Sequence, residues 1–411
     1  MKREARDFRE TAPKPVKRIP LDIKNPRLRL FLVIMALAIA AGAFFIAFRN
    51  LVSVEPGWTY LEADGAVGLN VSADFRLQVE LGAGSETPLT ERKRLTTVYS
   101  AAVREAYTLY TTQEYVPEVN NLWYINHHPG EEIQVDEKLY RALKKSLSAG
   151  NWLYLGPVYE AWDSVWFSQE DTEAAAADPR KDAELAAYLA EITDLIRSGD
   201  IRLELREDRK VCLILSDACR GFGEENGVSR WLDFGWQKNA FIIDDLAEAL
   251  TASGWTRAVL SSKDGFIRCL DDRGSFTLNM YADTAAGVRQ IAQMDYSGPA
   301  ALLMLLPAPG GDRSYSYRYQ DGTLRTAWIS AGDGLDVRPV DGLAAYAEEG
   351  GCAGLLCRYL DLLTRADAGE ADWTAAAGND SALRLAKDGV LSSFGNDRLT
   401  VKKTDPSDSN N

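Results

Sequence analysis

The residues best suited to chemistry lie in one stretch, Leu232-Asp233-Phe234-Gly235-Trp236-Gln237-Lys238-Asn239-Ala240-Phe241-Ile242-Ile243-Asp244. Its pattern predicts a short apolar strand, a tight turn at Gly235, and a helix with Asp244 in its first turn. Free N–H groups and the helix dipole make such a turn a cradle for a phosphate. Glycine at 235 lets the backbone approach a ligand closely. Lys238 and Asp244 place a cation and a carboxylate at the helix start. Lys238 also reads as a solvated turn residue. Trp236 reads either as a ring stacked on a planar ligand or as core packing, the latter favoured.

The other reactive residue types form weaker constellations. His127 and His128 are the only histidines, adjacent and followed by Pro129-Gly130. Neighbours in a turn rarely converge on one metal, so a surface turn is expected there. The five cysteines, at 212, 219, 269, 352 and 357, leave at least one thiol outside any internal disulfide and show no zinc or redox spacing. Small buried side chains are the expectation for them.

The 232–244 stretch resembles, without a gap, the core motif of the ApbE family, the FAD:protein FMN transferases. That motif reads hydrophobic-Asp-hydrophobic-Gly-Gly, two residues, Lys-Gly-Tyr, two residues, Asp. Asp233, Gly235, the aromatic Phe241 and Asp244 match it, whereas Trp236, Asn239 and Ala240 replace the second glycine, the lysine and the third glycine. Lys238 lies one residue before the family's lysine. Further along, Asn126, Gly156-Pro157 with Trp162, and Lys387-Asp388-Gly389 follow the family's order of segments. Asp264 matches the aspartate of its hydrophobic-Gly-Gly-Asp turn.

The resemblance implies FAD as ligand, Mg²⁺ as the working ion and a protein threonine as FMN acceptor. It assigns Asp244 and Lys238 to catalysis, and Gly235, Trp236, Phe241 and Asp264 to the cofactor. Holding Mg²⁺ against two phosphates requires hard oxygen ligands. The family's metal-binding Asp and Thr correspond here to Gly350 and Gly354, which offer no side chain. Glu348 or Glu349 would have to stand in, from a position shifted by one or two residues. The metal ligands are therefore unassigned.

Several elements must position these residues. Val71, Ala73, Phe75, Leu77, Val79 and Leu81 alternate with polar residues, a strand with one buried face. Thr87-Pro88 opens a helix with apolar positions from Leu95 to Tyr110 at helical spacing. Asp136 caps a second helix that Gly150 closes, and a third spans 182–197. Residues 201–205 and 211–215 read as a hairpin turning near Asp208. Strands are expected at 257–261, 300–306, 315–319, 326–330, 382–386 and 399–402. Helices and strands without a regular βαβ rhythm predict an α+β domain of the flavin transferase fold.

Leu30 to Phe48 is an uncharged apolar run bracketed by Arg29 and Arg49, of a length that spans a bilayer as one helix. Residues 1–29 hold ten Lys or Arg against four Asp or Glu, which predicts a cytoplasmic N-terminus. A cleaved signal peptide is the rival. It usually has a shorter apolar segment and a small-residue cleavage site, whereas Phe44-Phe45-Ile46-Ala47-Phe48-Arg49 follows here. The expected layout is a basic tail at 1–29, a transmembrane helix at 30–48, a linker at 49–69, an extracytoplasmic domain at 70–403 and a polar tail at 404–411.

The whole chain carries a net charge of −14; with +6 in the tail, the remainder sits near −20. So acidic a domain repels nucleic acid, and no polynucleotide partner is expected. Three functions stay open. One is a membrane-anchored FMN transferase with substitute ligands and reduced catalysis. The second is a non-catalytic relative that binds flavin or a partner protein. The third is an unrelated anchored binding domain.

Overall fold

Alternation of Phe75, Leu77, Val79 and Leu81 with polar neighbours makes Phe75–Leu81 a strand with one fully buried side. The strand belongs to an eight-stranded sheet, seen in a computed structural model that describes residues 26–52, 54–64, 74–285, 287–307 and 315–403. In sheet order the strands are Gly57–Leu61, Phe75–Leu81, Ala258–Ser262, Phe266–Cys269, Ala300–Leu305, Gly342–Ala347, Ser381–Lys387 and Val390–Gly395, each antiparallel to its neighbours. The central strands Ala300–Leu305 and Gly342–Ala347 are almost wholly apolar, because both their faces are covered.

One face receives a long hairpin, Ser275–Thr284 and Gly287–Ser297. Its Met280, Met294 and Tyr296 pack on Leu302, Ala344 and Tyr346. Alternate residues of the same strands point the other way. Helices pack against this sheet in a chain of contacts: Pro88–Tyr110 on Lys238–Ala252, that helix on Gly351–Leu363, and Gly351–Leu363 on Glu137–Ala149. Local capping fixes their starts. Thr87 Oγ1 accepts from Thr90 N, and Asp136 accepts from Lys138 N. A small sheet of Ile133–Gln134, Lys210–Leu215 and Ile201–Leu205 flanks them, with Asp208 turning its hairpin at φ 56°.

The chain divides into two units, Met1–Val54 and Glu55–Asn411. The helix Pro26–Val52 of the first unit contains the apolar run, and Leu30, Phe31, Val33, Ile34, Leu37 and Ile39 are exposed on it. The side chains at 45–50 lie outside the described residues. Among the described residues no helix is long and apolar enough to cross a membrane. The tail 404–411, most of the tail 1–29, and Val71 and Ala73 also lie outside them.

Three expectations need correction. The segment read as a linker contains the strand Gly57–Leu61, an edge strand whose Trp58 and Tyr60 face outward while Leu61 is buried. Residues 326–330 form no strand: Thr326 turns its hydroxyl onto Val337 O, and only Ile329 makes a bridge, with Asp336. Residues 231–234 are not a strand either. The side-chain amide of Asn126 replaces a ladder there, donating to Leu232 O (2.9 Å) and accepting from Leu232 N (2.8 Å).

Candidate functional site: two cavities along the motif helix

Gly235 sits at φ 53°, in the left-handed region, and a Cβ there would come within 2.8 Å of the Tyr159 ring. Only glycine makes this turn against that ring. A short 3-10 segment, Gly235–Gln237, leads directly into the helix Lys238–Ala252. The turn is already capped from within, since Gly235 N donates to Asp233 Oδ1 at 2.7 Å. Asp233 and Asp163 share Arg230, at 3.1 and 2.9 Å. The turn therefore presents a carboxylate where a bare phosphate cradle was expected.

Gly235, Lys238, Asn239 and Asp264 come together in a cavity of about 320 Å³ that also holds Asp163, Arg230 and the rings of Tyr110, Tyr159 and Tyr315. Asp264 lies in the turn between the strands ending at Ser262 and starting at Phe266. It accepts from Asn239 Nδ2 (3.0 Å) and Ser262 Oγ (2.5 Å). Burial pushes its carboxyl up to about 6 despite these donors, and burial does the same to Asp163, to about 6. Asn239 is 5 % exposed, and its Oδ1 has no hydrogen-bond partner. Where the resemblance expects a lysine, this buried amide supplies a neutral donor to Asp264 in place of a charge.

Asp244 and Phe241 line a second, larger cavity of about 580 Å³, with Asp245, Glu248, Arg268, Gly350 and Gly351. Asp244 lies in the second turn of its helix, not the first, and no acidic residue occupies the first turn. Its carboxylate instead caps a different helix. Oδ1 and Oδ2 accept from Cys352 N and Ala353 N, both at 2.9 Å, at the start of Gly351–Leu363. Burial raises its pKa, and Arg268, 3.5 Å away, opposes that rise. Asp245 accepts from Tyr110 Oη at 2.9 Å, and burial pushes it up to about 7.

Tyr110 lines both cavities and is the wall they share. Lys238 and Asp245 are seven residues apart, two turns along one helix face, so the cavities open side by side along about 10 Å of axis. Trp236 projects from the other side of this segment. It is 4 % exposed, stacks on Phe266 at 13° between ring planes, and lines neither cavity. Its assignment to the cofactor is corrected on that account. The cation stripe Lys138, Arg141 and Lys145 was not singled out from the sequence, although its i, i+3, i+7 spacing puts all three on one helix face toward the larger cavity.

Magnesium does not fit these residues. Gly350 and Gly354 stand where the resemblance expects side-chain ligands. Glu348 is exposed and paired with Arg398, and Glu349 is exposed and lines neither cavity. Among the described residues no group of three His, Cys, Asp or Glu can hold a metal. His127 and His128 instead stack on Trp123 and Tyr124, each Nδ1 bonded to the carbonyl four residues earlier. All five cysteines are free thiols, four of them buried.

The sequence matches no family model and no curated protein. Solved structures do match. A flavin transferase ApbE from Vibrio cholerae aligns with TM-score 0.56 and 13% identity, over 84% of this chain and 98% of its own. An ApbE protein from Thermotoga maritima aligns with TM-score 0.53 and 13% identity, over 84% and 97%. At such identities the likeness is one of architecture: this chain has the fold of the ApbE flavin transferases.

Proposed function

We propose that the chain is a membrane-anchored, extracytoplasmic relative of the flavin transferases that binds a flavin dinucleotide, its metal-dependent transfer reduced or lost. The supporting observation is the pair of cavities on either side of Tyr110 along the motif helix. An extended dinucleotide suits that arrangement. Its ring system meets Tyr159 and Tyr315, and its phosphates meet the basic residues of the larger cavity. Lys238 shares the smaller cavity with Arg230 and Gly235, and Asp244 holds the neighbouring helix in register. The loss of side chains at the two ligand positions supports the reduced transfer.

FAD titrated into the purified full-length protein should quench flavin fluorescence and saturate. Absence of binding removes the flavin reading and leaves a partner-binding role. Robust Mg²⁺-dependent transfer of FMN to a threonine-bearing acceptor would instead establish an active transferase.

A further inference from the structure

Three of the four cations in the larger cavity are matched to carboxylates. Lys138 pairs with Glu105, Arg141 with Glu248 and Asp245, and Arg268 with Asp244. Among the described residues Lys145 has no such ion pair. Its Nζ donates to Gly350 O at 2.9 Å, and it lies 3.3 Å from where a Cβ on Gly354 would stand. The ammonium therefore touches both positions at which the resemblance expects metal ligands. A side chain at 354 would press on it, so glycine at 354 and lysine at 145 accommodate each other. Nearby, Arg268 Nε faces Asp244 Oδ1 at 3.5 Å without a hydrogen bond. Three cations thus take up all four carboxylates, which leaves Lys145 the one cation of this cavity outside an ion pair among the described residues.

We propose that the Lys145 ammonium stands in the place of the divalent ion, so that this cavity binds a phosphoryl anion directly on Lys145 and Arg268 without metal. An ammonium is a compact positive charge with three donors, one already fixed on Gly350 O and two free for phosphate oxygens. Unlike a metal, it needs no carboxylate ligands, which accounts for glycine at both positions. The proposal rests on the flavin reading only for the ligand's identity, not for the site.

The test is calorimetric titration of inorganic pyrophosphate into the full-length protein in detergent, in EDTA and in excess Mg²⁺, with FAD titrated in parallel. Binding in EDTA that Mg²⁺ does not strengthen is expected. Lys145→Ala should weaken it at least ~10-fold, and Lys145→Arg should recover part of the loss. Lys145→Gln, which keeps a donor but no charge, should show the same weakening and replaces the alanine variant if that variant melts early. No pyrophosphate binding in EDTA, a tenfold gain with Mg²⁺, or unchanged affinity in both Lys145→Ala and Lys145→Gln would overturn the proposal. Pyrophosphate binding as expected with no FAD binding would leave this site standing and remove the flavin reading. FAD binding only with Mg²⁺ would do the reverse.

Discussion

Asp245 shows most directly how one side chain sets the behaviour of the site. Burial holds its carboxyl near 7, against an ordinary value of 3.8, while Tyr110, Lys138 and Arg141 pull the other way. A carboxyl whose pKa is higher folded than unfolded binds its proton more tightly in the folded state. Its contribution to stability is therefore greatest at low pH and is lost as pH rises from about 4 through about 7. Asp245→Asn, which removes the titration and keeps an acceptor for Tyr110, should raise Tm by several degrees at pH 8 and by little at pH 5, in thermal melts by circular dichroism. Gly235→Ala tests the turn. A left-handed backbone and contact with Tyr159 should cost roughly 1–3 kcal/mol in urea unfolding. The turns at 235 and 264 were legible because turn glycines and turn aspartates leave spacing signatures. The acceptor left open on Asn239 was not, since no pattern says which amide oxygen will lack a partner.

At the level of elements, Asp244 links two helices. The resemblance assigns it to catalysis, but two N–H groups at the start of Gly351–Leu363 depend on it. Asp244→Ala should destabilise the protein by about 2 kcal/mol, read as a lowered urea midpoint with unchanged slope. A drop in ligand affinity in this variant would then need correction for the unfolded fraction. Periodicity revealed most of these elements. The helix after Thr87-Pro88, the hairpin at Asp208 and the strand at Phe75 all announce themselves by cap, turn or alternation. The partition of the motif residues into two cavities was hidden, because it depends on Tyr110 arriving from a helix far away in sequence. Residues 231–234 escaped for a related reason: their strand-like apolar run is held by a distant asparagine instead of a neighbouring strand.

On the scale of the whole molecule, the proposed anchor at 30–48 has a direct test. The full-length protein should sediment with membranes and resist alkaline carbonate, and a chain lacking residues 1–52 should be released. Recovery of the intact protein in the carbonate supernatant would count against an anchor. Fold class was readable from the irregular mixture of helices and strands, whereas the large sheet's order was not, since its strands join distant parts of the chain.

The paired glycines at the head of the Gly351–Leu363 helix bear on which substitutions this loop accepts. Both adopt left-handed backbone, and a Cβ on Gly351 would run into the Asp244 carboxylate. A methyl group at 351 would dislodge that carboxylate, and a side chain at 350 would sit on strained backbone. At 354 only the flexible end of Lys145 would have to give way. Sequence drift at the head of this helix is therefore steered away from 350 and 351 and toward 354.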